Sequence, residues 1–187
     1  MYTTAAKITS LVIVLGLLTA CRPTTNDNVQ PTQIFSCPAL PQDFKENDLV
    51  GTWVTSYSLN DKDTLVIKED GTYKQIYSDP DSGNHYESDW LEWWIEKRDS
   101  GYIRLHLKGM HRAGEIESIF NRQGGGIDPE QFTAIDYCEN VVVEMPHEVI
   151  LIVTGSTENT SRGIILRQTR LSGTEWTWSF RLQESSK

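Results

Sequence analysis

The 187 residues carry 17 Lys and Arg against 26 Asp and Glu, a formal charge of −9, and their length suits one domain with a sizeable core rather than two. A surface this acidic repels phosphate backbones and anionic lipid headgroups. That argues against nucleic acid as a partner and against a polypeptide held on a bilayer by its own charge.

The chain opens on a sparse positive region, Lys7 and the free amino terminus, followed by an apolar run of eleven residues from Ile8 to Leu18. The run has the length of a signal-peptide core and is too short for a membrane span, which needs about 20 residues. It ends on Leu18-Thr19-Ala20-Cys21. These four residues resemble the lipobox of bacterial lipoproteins, in which small residues precede a cysteine that becomes the lipidated N-terminus. The resemblance implies cleavage before Cys21, a diacylglyceryl thioether on its sulfur and an acylated amine in many members. It also implies an extracytoplasmic, membrane-anchored protein in the cell envelope, on the outer membrane of a diderm or the outer face of the plasma membrane of a monoderm. Stable anchoring takes more than one acyl chain, which this chemistry supplies. Loss of the leader, whose only charged side chain is Lys7, leaves 167 residues with a formal charge of −10.

Export leaves two cysteines besides Cys21, namely Cys37 and Cys138, in a compartment where disulfides persist. A bridge between them would close a loop of about 100 residues and contribute about 4.7 kcal/mol in the chain-entropy model. The alternative is a pair of free, buried thiols. Residues 21–33 read as a flexible tether, because the stretch from Arg22 holds Pro, Thr, Asn and almost nothing apolar to offset its ordering entropy. Its reach as a coil is about 20 Å. The domain is expected from residue 34, with Phe35 to Phe44 as an irregular, proline-bearing lead-in.

From Leu49 the chain is a series of short period-two runs split by turn residues, the pattern of antiparallel strands. Leu49, Trp53, Tyr57 and Leu59 share one face of the first. Asp63–Lys68 and Thr72–Ser78 flank Asp70-Gly71, a strong hairpin signal. His85–Lys97 and Tyr102–Lys108 follow, the latter alternating Ile103, Leu105 and Leu107 with Arg104, His106 and Lys108. Asn140–Met145, Glu148–Thr154, Gly163–Leu171 and Glu175–Gln183 complete the set, and Trp176, Trp178, Phe180 and Leu182 share one face of the last. Between the halves, Met110 to Tyr137 holds 28 residues without sustained alternation. A stretch that long is a functional lid, a partly helical insertion, or a sign of a further element, and Glu115–Arg122 could form a short helix.

The expected fold is therefore all-β: an antiparallel up-and-down barrel of 8–9 strands with one long central insertion, 110–137. Gly51-Thr52-Trp53 on the first strand resembles the Gly-x-Trp signature of lipocalin-like proteins. The resemblance implies that Gly51 permits close approach at the barrel base and that Trp53 plugs it. Members of that family often pair the tryptophan with an arginine near the end of the barrel, for which Arg181 and Arg170 are rough candidates. The Thr-Asp-Tyr type motif is unmatched at Ala134-Ile135-Asp136-Tyr137.

Chemistry-bearing patterns are few. His85, His106, His111 and His147 lack zinc-site spacing and read as solvated surface residues, so no metal and no cofactor are expected. There is no nucleophile motif, and Gly124-Gly125-Gly126 lacks the Lys-Ser or Lys-Thr of a phosphate cradle. Glu92, Glu96, Glu115 and Glu117 offer carboxylate pairs that an acidic chain produces by chance, so no enzyme is expected. Trp90, Trp93 and Trp94 fall in one strand and must occupy both of its faces. Either Trp93 joins Leu91 and Ile95 inside, leaving Trp90 and Trp94 outside with Glu92 and Glu96, or the register is reversed. By the lipocalin-like resemblance, the expected function is that of a lipid-anchored envelope protein binding a small apolar ligand, whose residues the sequence does not identify. The alternative is a structural or inhibitory interaction module with a filled barrel, an unidentified protein partner and the insertion as its contact surface.

Overall fold

The computed structural model describes residues 37–112, 115–116, 120, 133–144, 148–158, 160, 162–171 and 178–184. The chain divides into Met1–Gln33 and Ile34–Lys187. The leader, Cys21 and the tether lie outside the described residues, as do Gly124-Gly125-Gly126, Glu117, His147 and Trp176.

Alternation along the strands builds the architecture. The elements are β1 (Gly51–Thr55), β2 (Lys62–Ile67), β3 (Thr72–Asp79), β4 (Asn84–Glu87), β5 (Leu91–Lys97) and β6 (Ile103–Lys108), then β7 (Thr133–Asp136), β8 (Val141–Glu144), β9 (Glu148–Gly155), β10 (Ile164–Gln168), β11 (Arg170–Leu171) and β12 (Ser179–Leu182). Eight of these close an antiparallel barrel in the order β1-β2-β3-β5-β6-β9-β10-β12, with β12 returning to β1 through Trp53↔Leu182 and Val54↔Arg181. β4 is a side branch on β3. The expected all-β, up-and-down barrel is thus the observed one, and closure removes the edges that an open sheet would expose.

Every barrel strand sends alternate residues inward. Trp53, Leu65, Ile67, Tyr73, Trp93, Ile103, Leu105, Leu107, Leu151, Leu166 and Phe180 belong to one buried cluster. The Asp70-Gly71 hairpin joins β2 to β3 as expected, its Asp70 carboxylate accepting from the Thr72 backbone N–H at 3.0 Å.

A strap crosses one end of the barrel. Cys37 to Phe44 is irregular, Leu40 and Phe44 pack on the core, and a 3-10 turn over Glu46–Leu49 leads into β1. The strap lies so close to the end of β9 that a Cβ on Gly155 would stand 2.1 Å from the Ala39 carbonyl oxygen, while the Gly155 N–H donates to the Pro38 oxygen at 2.9 Å. Only glycine admits that approach. Cys37 and Cys138 are brought together with their Cα atoms 5.6 Å apart, a geometry compatible with a disulfide.

Several expectations are corrected. The run His85–Lys97 is two strands, broken at Ser88-Asp89-Trp90, where the Ser88 hydroxyl accepts from the Gln75 N–H and donates to the Asp89 carbonyl. Leu59 is fully exposed in the β1–β2 loop and shares no face with Trp53. The central insertion holds a strand, β7, that the sequence does not signal. It pairs with β8 and β11 in a separate three-stranded sheet, so Asn140–Met145 is not a barrel strand and Gly163–Leu171 splits at Thr169. Ala134 and Val143 of this sheet pack on Ile150, on the outward face of β9. Within the insertion, Glu115, Ile116 and Phe120 are helical. Among the described residues, no helix is long and apolar enough to cross a membrane.

Candidate functional site

The two ends of the barrel differ in chemistry. At the strap end the indole of Trp53, fully buried, donates from Nε1 to the Leu49 carbonyl at 2.7 Å. Gly51 has φ +146°, and a Cβ there would sit 2.9 Å from Leu182 Cδ1 and 4.0 Å from the Arg162 guanidinium. Arg162 donates to the Asp48 and Val50 carbonyls at 2.6 and 2.7 Å, tying the 3-10 turn to the β9–β10 connection. No periodicity marks Arg162, which lies in a loop far from residue 50 in the chain. Arg181, a sequence candidate for the arginine paired with Trp53, forms an exposed pair with Glu158. The side chain of Arg170 lies outside the described residues.

At the other end, where the insertion leaves β6, the inward positions turn polar. Asp63 on β2 is fully buried and accepts hydrogen bonds from the Tyr57 hydroxyl at 2.8 Å and from the Gln75 amide at 3.0 and 3.2 Å. Burial pushes its pKa up from 3.8 to about 7, with the Asp61 carboxylate adding to the rise. The bonds from Tyr57, Gln75 and the Thr64 backbone oppose it. Burial, then the charge of Asp63, holds the Tyr57 phenol well above its usual value. Gln168 on β10 donates to the Tyr57 oxygen at 2.9 Å, and Trp178 meets the Tyr57 ring edge-on at 5.2 Å.

Gln75 also reaches the insertion. Its amide donates to the His111 carbonyl at 2.8 Å and its oxygen accepts the His111 N–H at 3.0 Å, so one side chain imitates a strand partner for the first residues after β6. Beyond them Arg112 is buried, which pulls its pKa down against the pull of Glu115. The Glu115 carboxylate accepts from the Arg112 N–H at 3.1 Å and lies 3.4 Å from His111 Nδ1.

A second polar assembly lies outside the barrel, under the small sheet. Arg104 meets Asp136 at 2.8 Å, Glu139 at 3.0 Å and Glu96 at 3.3 Å, with Asp136 almost wholly buried. His106 lies between Glu148 at 3.1 Å and Glu96 at 3.4 Å. Burial would raise the Glu96 pKa, but the Arg98 hydrogen bond and the charges of Arg104 and Arg98 outweigh it and hold the pKa below its ordinary range. His106 is therefore not the solvated surface histidine expected: it is buried, with Trp94 stacked on its ring. His85 is exposed and His111 partly so. Among the described residues, no group of three or more His, Cys, Asp or Glu is placed to hold a metal ion.

Among the described residues, the candidate carboxylates Glu92, Glu96 and Glu115 do not converge. Glu92 pairs with Lys108, Glu96 with Arg98, Arg104 and His106, and Glu115 with His111. Of the two registers open to β5, the structure takes the one that buries Trp93 and leaves Trp90 and Trp94 outside at 43% and 42% exposure. Comparison with protein-family models, with curated proteins and with solved structures found no match to this chain. The functional reading therefore rests on the residues themselves.

Proposed function

We propose that this chain is a lipid-anchored, extracytoplasmic protein of the cell envelope whose lipocalin-like barrel acts through its outer surface, as a tethered interaction module without catalytic activity. The observation that carries the reading is the occupied interior. Trp53, Tyr73, Trp93 and Phe180 fill the barrel with Leu65, Leu105, Leu107, Leu151 and Leu166 in one contiguous buried cluster. An apolar guest would have to displace these buried side chains, and overpacking a core costs about 1 to 3 kcal/mol. This supports the module over a carrier of a small apolar ligand. The anchor is supported by Leu18-Thr19-Ala20-Cys21 at the end of its short apolar run. A disulfide between Cys37 and Cys138 is part of the same reading. It would fasten the strap to the β7–β8 turn, two segments that no strand pairing joins.

Native mass spectrometry of the full protein extracted in detergent tests the reading. The expected species begins at Cys21, carries the added mass of acyl chains and holds no further small molecule, and Cys21→Ala abolishes the acyl mass. A stoichiometric apolar guest would overturn the filled-barrel reading, and an unmodified Cys21 would overturn the anchor. Non-reducing peptide mapping of the same sample is expected to recover one crosslinked species joining the Cys37 and Cys138 peptides. Alkylation of both thiols without prior reduction would exclude the bridge.

A further inference from the structure

Trp94 on β5 and Trp90, in the break just before that strand, both remain exposed outside the barrel. Each has one ring face engaged. Lys68 Nζ lies 3.3 Å from the centre of the Trp90 ring, and the His106 imidazole stacks on Trp94 at 4.9 Å with the planes 14° apart. About two-fifths of each residue nonetheless remains open to solvent. Two indoles held rigidly by such contacts, both still exposed on one strip, are unusual on a surface where single exposed aromatics need no explanation.

The chemistry between and around them defines the occupant. Glu92 lies between the two indoles and pairs with Lys108 at 2.9 Å, both side chains well exposed. Lys74 is paired with Glu87 at 2.6 Å, and His106 with Glu96 and Glu148. Apart from Lys68, which rests on the Trp90 ring, the lysines bordering the strip are thus paired within the chain, which favours an uncharged ligand. A bilayer or an apolar protein surface laid across both indoles would bury the Glu92–Lys108 pair with nothing to replace its water, a heavy desolvation cost. A chain of pyranose rings meets neither objection. Its axial C–H groups carry partial positive charge and complement the negative π faces of the indoles, while its hydroxyls can take over the water contacts of Glu92 and Lys108.

We infer that the strip Trp90-Glu92-Trp94, which runs from the break before β5 onto its outer face, binds a neutral glycan chain, with the two indoles stacking on separate sugar rings and Glu92 and Lys108 bonding to the hydroxyls between them. The inference rests on the interaction-module reading above, to which it adds the class of partner, and it is read separately from that reading. Interior occupancy and acylation are measured without reference to the strip.

The test is a titration of the full detergent-solubilised protein with two uncharged β-1,4-linked probes, the hexamers of glucose and of N-acetylglucosamine, followed by tryptophan fluorescence and calorimetry. A saturable response to at least one probe is expected. Trp90→Ala and Trp94→Ala should each weaken it about tenfold, as expected for loss of one stacked ring. Glu92→Gln, which leaves both indoles in place, should weaken it less. Circular dichroism melting of each variant establishes that the barrel remains folded. Absence of a saturable response to both hexamers at millimolar concentration, or an unchanged response in a folded variant carrying both Trp90→Ala and Trp94→Ala, would overturn the proposal. So would a tryptophan blue shift with phosphatidylcholine vesicles alone, which would identify a membrane-facing strip.

Discussion

Replacing Trp53 with alanine is expected to lower stability by about 3 to 5 kcal/mol, a large share of the roughly 5 to 15 kcal/mol that holds a domain of this size folded. The indole is fully buried at the strap end, in the same cluster as Leu49, Leu65 and Phe180. Its Nε1–H is also the donor to the Leu49 carbonyl. Truncation therefore opens a cavity and leaves an enclosed acceptor unpaired, and the strap lies directly against that end. Urea denaturation of the chain from Ile34 onward, with Trp90→Ala as the exposed control, measures the difference. A loss below about 1 kcal/mol for Trp53→Ala would contradict its role at the barrel base.

The second large effect is a pH dependence centred on Asp63. Its carboxyl is displaced from an ordinary 3.8 to about 7 in the folded protein, chiefly by burial. Between these values the folded state holds a proton that the unfolded state has released, so stability falls as pH rises through this window. The contribution of the neutral carboxyl is fully present below about pH 4 and lost by about pH 7. Three units correspond to a span on the order of 4 kcal/mol. Carboxylates such as Glu87, Glu139 and Glu158, whose pKa values are held down by hydrogen bonds, act in the opposite sense. The informative quantity is thus the stability of Asp63→Asn minus that of the parent. That difference is expected to move in favour of the variant by several kcal/mol between pH 4 and pH 8, read by urea midpoints at each pH. A constant difference across the range would mean that Asp63 is ionised throughout.

The polar end of the barrel explains why such a group is tolerated. Asp63 has three donor contacts from Tyr57 and Gln75, and Gln75 in turn holds the backbone of His111. A fully connected network of this kind fixes a unique arrangement where a half-satisfied one would be costly. The same network sets where the insertion departs from the barrel, so the pH response of Asp63 and the seating of His111 and Arg112 are expected to change together.

Sequence periodicity determined several barrel strands, because inward and outward residues alternate where one face packs on a core and the other meets water. That is how β2 and β3 were legible, whereas β9 is a continuous apolar run because both of its faces are buried. The pattern failed where the outer face is not solvated. Arg104 and His106 read as exposed because they are polar, yet both are buried, Arg104 against Asp136 of the small sheet and Glu139, and His106 under Trp94 with Glu96 and Glu148 at its ring nitrogens. β7 is only four residues long and lies in a stretch without alternation, so nothing local distinguishes it. Gln75 and Asp63 occupy apolar positions of their strands, and their partnership spans a hairpin. The role of Arg162 depends on carbonyls more than 100 residues away in the chain. These contacts were decided by the tertiary structure alone. Burial and hydrogen-bond partners at long sequence separation are properties of the closed barrel, whereas alternation and turn chemistry are written in consecutive residues.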